Sequence, residues 1–183
     1  MKRLFLPSLI LTALTLGLLA DDSEPKRIYE LRTYFANEGK LDALHARFRD
    51  HTCTLFEKHG IHNVGYWVPV ENEDHRLVYL VSYPSRDARE KAWKAFFADD
   101  AWKSAYQKSI EDGKLVAKVE SEFLVTTDYS PELKVTAADS ARLFELRRYT
   151  TNEGKLGDLD RRFREHTCGL FEKHGMTNVI YLH

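Results

Sequence analysis

Residues 27–67 read RIYELRTYFANEGKLDALHARFRDHTCTLFEKHGIHNVGYW, and residues 142–182 read RLFELRRYTTNEGKLGDLDRRFREHTCGLFEKHGMTNVIYL. The two align without a gap at an offset of 142 − 27 = 115 residues. The runs NEGKL, HTC, LFEKHG and NV recur unchanged, and agreement of that length marks an internal duplication. The second copy reaches His183 before repeating the part of the first that lies beyond Trp67.

Within the first copy, Arg27 to Phe35 alternates and is rich in aromatic and branched residues, which predicts a strand. Tyr29, Leu31, Thr33 and Phe35 point to one face, and Glu30, Arg32 and Tyr34 to the other. Asn37-Glu38-Gly39 opens a long helix with Asn37 as a cap. Leu41, Leu44, Phe48 and Leu55 make its apolar stripe, with His51, Thr52 and His59 on or beside it and Cys53 on the polar side. Gly60 ends it as a C′ residue. Asn63 to Val68 is a second strand, stopped by Pro69, and Arg76 to Tyr83 a third. Ser85 caps a second helix that buries Ala88, Ala92, Trp93 and Phe96. Asp99-Asp100 breaks it before a short helix over Ala101 to Ser109, and Leu115 to Thr127 is the fourth strand.

The order is β-α-β-β-α-β, the split ferredoxin-like arrangement, an α+β fold. Two helices cover one face of such a sheet and leave the other bare. The bare face is expected to carry Glu30, Arg32, Tyr34, Lys118 and Glu120, with Trp67 among them. A second sheet packed on it would close a barrel around a polar lumen. Asp128 to Ala141 has linker composition. The second copy then repeats the first strand over Arg142 to Tyr149, the helix over Glu153 to Gly175 and the start of the second strand over Asn178 to Leu182. A first strand lacking its third and fourth neighbours leaves backbone groups open. The second copy is therefore expected to continue beyond His183, or to borrow a sheet from the first copy or another chain.

Composition narrows the function classes. Lys2 and Arg3, the apolar run Leu4 to Leu19 and Leu18-Leu19-Ala20 before Asp21 predict a cleaved export signal over residues 1–20, and hence a periplasmic or secreted protein. Pro7, Ser8, Thr12 and Thr15 interrupt the run, which is short for a membrane span, so no membrane association is expected after cleavage. Of 27 basic and 28 acidic residues, removing Lys2 and Arg3 leaves 25 against 28, a weakly acidic chain unsuited to nucleic acid. The two cysteines, Cys53 and Cys168, occupy equivalent positions and are expected to be unpaired thiols.

Several runs together resemble the NIPSNAP family: YELRTY, EGKLDALHARFRDHT, LFEKHG, NVGYW, YPSRDAREKAWKAF, DGKLVAKVES and TDYSP. The resemblance covers Arg27 to Pro131 fully and Arg142 to Leu182 as the start of a second domain. It implies a dimeric α+β barrel of ferredoxin-like halves, with tandem copies forming one barrel within a chain. It implies no settled activity. Animal members are associated with mitochondria and with mitophagy or vesicle-traffic partners, a setting from which the export signal departs. Small cofactor-free monooxygenases and haem-handling proteins share the barrel by fold analogy.

Candidate chemistry is sparse. Glu30, Arg32 and Tyr34 recur as Glu145, Arg147 and Tyr149, which reads either as a small-molecule lumen or as an ion-paired interface between half-barrels. His51 and His59 lie about 12 Å apart on one helix, too far to share a metal. His59 and His62 could approach across the turn at Gly60, but no acid or Cys stands at ligand spacing, so no metal site is expected. The expected place of His51 is against the sheet. Trp67, Trp93, Trp102 and Tyr106 read as core. No phosphate loop, Cys-x-x-Cys or Ser-His-Asp pattern occurs, and no cofactor is called for. The favoured reading is a non-catalytic binding or interaction module that works through self-association or intramolecular pairing of barrel halves, with a small molecule or protein as partner. The rival is a small oxygenase-like enzyme in which Arg32 holds an anion, Tyr34 lines the lumen and His51 moves a proton.

Overall fold

The computed structural model describes residues 27–134 and 142–183. The expected export signal lies outside them, as do residues 135–141 of the linker. β1 (Ile28–Ala36) runs antiparallel between β3 (Arg76–Tyr83) and β4 (Val116–Val125), and β2 (His62–Trp67) pairs with β3. The sheet order is β2-β3-β1-β4, the ferredoxin-like α+β arrangement that the element order predicts.

The long helix is not continuous. α1 (Leu41–Arg47) and α2 (Cys53–Lys58) are joined by a π-helical turn over Phe48–Thr52, in which the Thr52 hydroxyl donates to the Arg47 carbonyl at 3.1 Å. A uniform α-helix would carry residues spaced by four steadily off one face. The wider π turn holds Leu44, Phe48, Thr52 and Phe56 together, and all four are buried. Leu55, expected in the stripe, is only partly buried. Asn37 is not the helix cap. Its side-chain amide donates to the Lys114 carbonyl at 2.7 Å, and Lys40 occupies the N-cap. Gly60 ends α2 at φ +77°, with Gly60 N donating to Glu57 O and Ile61 N to Phe56 O, a Schellman ending.

α3 (Arg86–Ala98) starts at Ser85, whose hydroxyl accepts from Ala88 N at 3.1 Å. α4 (Asp100–Ser109) starts at Asp99, whose carboxylate accepts from Ala101 N and from the side chains of Lys58 and His59 at 2.7 Å each. The cap of α4 thereby also fastens the end of α2. Those contacts hold the Asp99 carboxyl well below the usual carboxylate range. Between helices and sheet lies the main core, where the Phe56 ring sits 4.9 Å from Phe96 and 5.3 Å from Trp93.

In the second copy the helix pattern returns as α5 (Leu156–Arg162), a π turn over Phe163–Thr167 and α6 (Cys168–Lys173). Residues 142–150 form no strand. The chain does borrow an edge from the first copy: His183 exchanges both backbone hydrogen bonds with Val125, and Thr127 N donates to Tyr181 O. The start of the expected linker is therefore built into the fold, with Asp128 bonded to Arg164 and Ser130 to Tyr181.

Candidate functional site

The β1 register decides which side chains meet. Glu30, Arg32 and Tyr34 lie across from Val81, Tyr79 and Leu77, and Tyr34, Tyr79 and Val81 belong to the helix-covered core. Lys118 and Glu120 pair with Phe35 and Thr33, on the opposite face, and Trp67 packs with Leu31 and Tyr29 there. The expected lumen set thus splits in two. Glu30, Arg32 and Tyr34 lie beneath the helices, and the uncovered face carries Tyr29, Leu31, Leu80 and Trp67 with Lys118 and Glu120 toward β4. The charges in β1 suggested an open surface, but α3 supplies the partners that let them be buried.

Glu30 is fully buried. Arg89 of α3 donates to both its oxygens, and Tyr83 at 3.0 Å, Ser121 at 2.7 Å and Arg32 also donate. Burial alone would raise its pKa, but hydrogen bonds from Arg89 and Ser121 and the charges of Arg32 and Arg89 outweigh it, and the carboxyl titrates at about 2. Arg32 donates through Nε to the Tyr79 hydroxyl at 2.8 Å, and its guanidinium lies 4.6 Å from the Trp93 ring centre. Trp93 Nε1 donates to Tyr83 at 2.8 Å, which closes the network. The Tyr83 hydroxyl is pushed well above its ordinary pKa by burial and by Glu30. Every strong donor here already has an acceptor, so the arrangement is an internal ion-paired lock between α3 and the sheet.

His51 is exposed on the π turn rather than set against the sheet. Arg32 and Tyr34 lie inside the core, so the structure does not bring the three candidates together. His59 binds Asp99, and His62 lies 3.3 Å from Glu57. No group of three His, Cys, Asp or Glu side chains that could hold a metal occurs among the described residues. Both cysteines are free thiols.

The uncovered face presents the other candidate. Tyr29, Leu31 and Leu80 are buried there because Leu133, Ile180 and Leu182 pack on them. Trp67 meets Phe144 of the second copy edge-on at 5.8 Å, and Arg148 pairs with Glu122 at 2.7 Å. Beside these contacts lies a cavity of about 380 Å³ lined by Leu31, Thr33, Glu120, Glu122 and Arg148. Arg148 takes the place of Thr33 in the duplication, a change that the repeated residues alone gave no reason to single out.

A βαββαβ unit with an apolar free sheet face defines the class of ferredoxin-like α+β proteins that pack sheet on sheet. This chain belongs to the NIPSNAP family, whose model matches residues 29–131. It is 26% identical over 133 residues to a NipSnap homolog of Dictyostelium discoideum, covering 72% of this chain and 52% of that protein. The chain thus spans about half the length of that curated relative. Among solved structures, an uncharacterized NIPSNAP-like domain protein from Burkholderia xenovorans superposes with a TM-score of 0.53 at 17% identity, over 63% of this chain and 97% of the other. A NIPSNAP family protein of unknown function from Agrobacterium tumefaciens gives 0.52 at 24%, over 58% and 94%. These likenesses establish the fold. Among the described residues no helix is long and apolar enough to cross a membrane.

Proposed function

We propose that the protein is a non-catalytic interaction module that works by packing the free face of its NIPSNAP sheet against a second unit of the same kind. The observation that carries this reading is the burial of Tyr29, Leu31 and Leu80 beneath Ile180, Leu182 and Leu133. An apolar sheet face of that kind is stabilised by a cover, and the second copy supplies one within the chain. The polar cavity at Glu120, Glu122 and Arg148 supports a secondary role in holding a small polar molecule beside the packed faces. The oxygenase-like alternative has less support, because His51 faces solvent while Arg32 and Tyr34 are committed to the α3 lock. We place the module in an exported setting on the strength of Lys2, Arg3 and the apolar run after them.

Leu31→Arg tests the reading, since it puts a charge beneath the cover without touching the lock. Limited proteolysis should then cut within residues 142–183 far faster than in the wild type, with the first copy intact by circular dichroism. Equal protection of both segments would overturn the packing role. Mass spectrometry of the mature protein from its host tests export: cleavage after Ala20 is expected, and a retained leader would remove that setting.

A further inference from the structure

Tyr129 plugs the second copy. Its ring stacks on Phe163 and lies 5.4 Å from Tyr181, and its hydroxyl donates to Asp160 at 3.0 Å. Its neighbours help. Asp128 accepts two hydrogen bonds from Arg164, at 3.0 and 2.7 Å, and the same guanidinium lies 5.6 Å from the Tyr129 ring centre. The Ser130 hydroxyl accepts from Tyr181 N at 3.0 Å, and Thr127 N donates to Tyr181 O. The Thr-Asp-Tyr-Ser run after β4 is thus read residue by residue, by backbone pairing, a bidentate Arg and an aromatic socket.

The first copy has the same socket, and it is open. Subtracting 115 from Asp160, Phe163, Arg164, Cys168 and Tyr181 gives His45, Phe48, Arg49, Cys53 and Tyr66. Those five line one cavity of about 290 Å³, closed on one side by Trp67 and Leu77. Two of its polar groups lack partners among the described residues. Arg49 is exposed and makes no ion pair, and His45 Nε2 is buried without a hydrogen bond. Their counterparts are the two side chains that hold Asp128 and the Tyr129 hydroxyl. The Cys53 thiol is pushed up by burial, so it stays a neutral wall.

We infer that this cavity is a docking socket for an extended Asp-Tyr-Ser segment that follows the last strand of another NIPSNAP-type unit. The incoming tyrosine ring lies against Phe48 and Tyr66, as Tyr129 lies against Phe163 and Tyr181, its hydroxyl meets His45 Nε2 as the imidazole turns toward it, and its aspartate takes Arg49. The inference rests on the interaction-module reading and names the chemistry of the partner. The Asp-Tyr-Ser run at residues 128–130 already fills the second socket, so the occupant of the first socket is a different segment of that kind.

The test uses the full chain and a labelled peptide with the sequence of residues 123–131, FLVTTDYSP, followed by fluorescence anisotropy. Saturable binding of one peptide per chain is expected. Arg49→Ala, and alanine in place of the peptide's tyrosine, should each weaken it by about ten-fold or more, the loss of one strong contact. Arg49→Lys should fall between, because a lysine keeps charge but not the fork. Arg164→Ala should leave the affinity of the site at Arg49 unchanged. Leu31→Arg, which undocks the second copy and frees its socket, should raise the count from one peptide per chain to two. A count that stays at one with Arg49-dependent affinity marks a failed sheet-packing role and leaves the socket standing, so the two failures are separable. No saturable binding would overturn the socket. So would weakening by Arg164→Ala in place of Arg49→Ala, which means exchange at the second copy, or equal competition by p-cresol, which means a site for free phenols.

Discussion

Arg89 grips both carboxylate oxygens of Glu30, Nε to Oε2 and Nη2 to Oε1, each at 3.1 Å. One residue on α3 is thereby pinned near the start of β1, a central strand of the sheet. Arg32 approaches the same carboxylate from within β1 and stacks on Trp93. A buried acid flanked by two guanidinium groups is sound only while all three are present.

Glu30→Gln keeps the size and removes the charge that both arginines face. We expect a loss of about 3–5 kcal/mol in urea unfolding, the usual cost of stranding a buried charge. A loss below about 1 kcal/mol, the scale of a surface pair, would mean that the lock is open to water.

The same carboxyl sets an acid limit. Its pKa of about 2 in the fold lies below the ordinary 4.5, so its contribution is fully present above pH 4.5 and drains away as pH falls toward 2. Wild type should lose stability over that window, and Glu30→Gln should lose less. Parallel pH profiles for the two proteins would contradict the assignment.

Phe56 and Phe171 are the same residue of the duplication in different surroundings, the first fully buried and the second partly exposed. Phe56→Ala should cost about 3–5 kcal/mol, the range for a buried ring. Phe171→Ala should cost much less by the same measurement, and equal costs would show that the second copy buries its helix face as deeply as the first.

A β-carbon at Gly65 would overlap the Trp67 ring, which covers that glycine on the free sheet face. Gly65→Ala should push the indole away from Phe144 and red-shift the tryptophan emission, at about 1–3 kcal/mol. The duplication already carries the reciprocal change, Ile180 and Leu182 in place of Gly65 and Trp67. An unchanged spectrum would mean that the ring finds another seat at no cost.

Leu182→Asp should undock the second copy from Tyr29, Leu31 and Leu80. The amides of Val125 and Thr127, which donate to His183 and Tyr181, should then exchange with solvent much faster, while those of β1 stay protected. Slow exchange at Val125 and Thr127 would show that the pairing stands without the apolar contact.

Much of the fold was legible because it rests on local rules. Alternation in Arg76 to Tyr83 gave β3 with its observed bounds, and Ser85, Asp99 and Gly60 act at the helix ends where their chemistry suits them. The π turn was not legible, since no residue type marks it. Only the steps of four from Leu44 to Phe56 hint at it, and the repeat preserves them as Leu159, Phe163, Thr167 and Phe171. The socket was hidden because its reader and its ligand lie in different copies, and Asp128 to Ser130 had the composition of a linker.

By itself the sequence determined the βαββαβ order and the family, because these arise from hydrophobic period, turn chemistry and the motif runs along residues 29–131. It could not say which face of β1 the helices cover. Alternation assigns residues to two faces and leaves open which face is inside, and a buried acid looks like an exposed one until its donors are in place. That was decided by Arg89, Tyr83 and Ser121, which come to Glu30 from 59, 53 and 91 residues away and exist as a group only once the chain has folded.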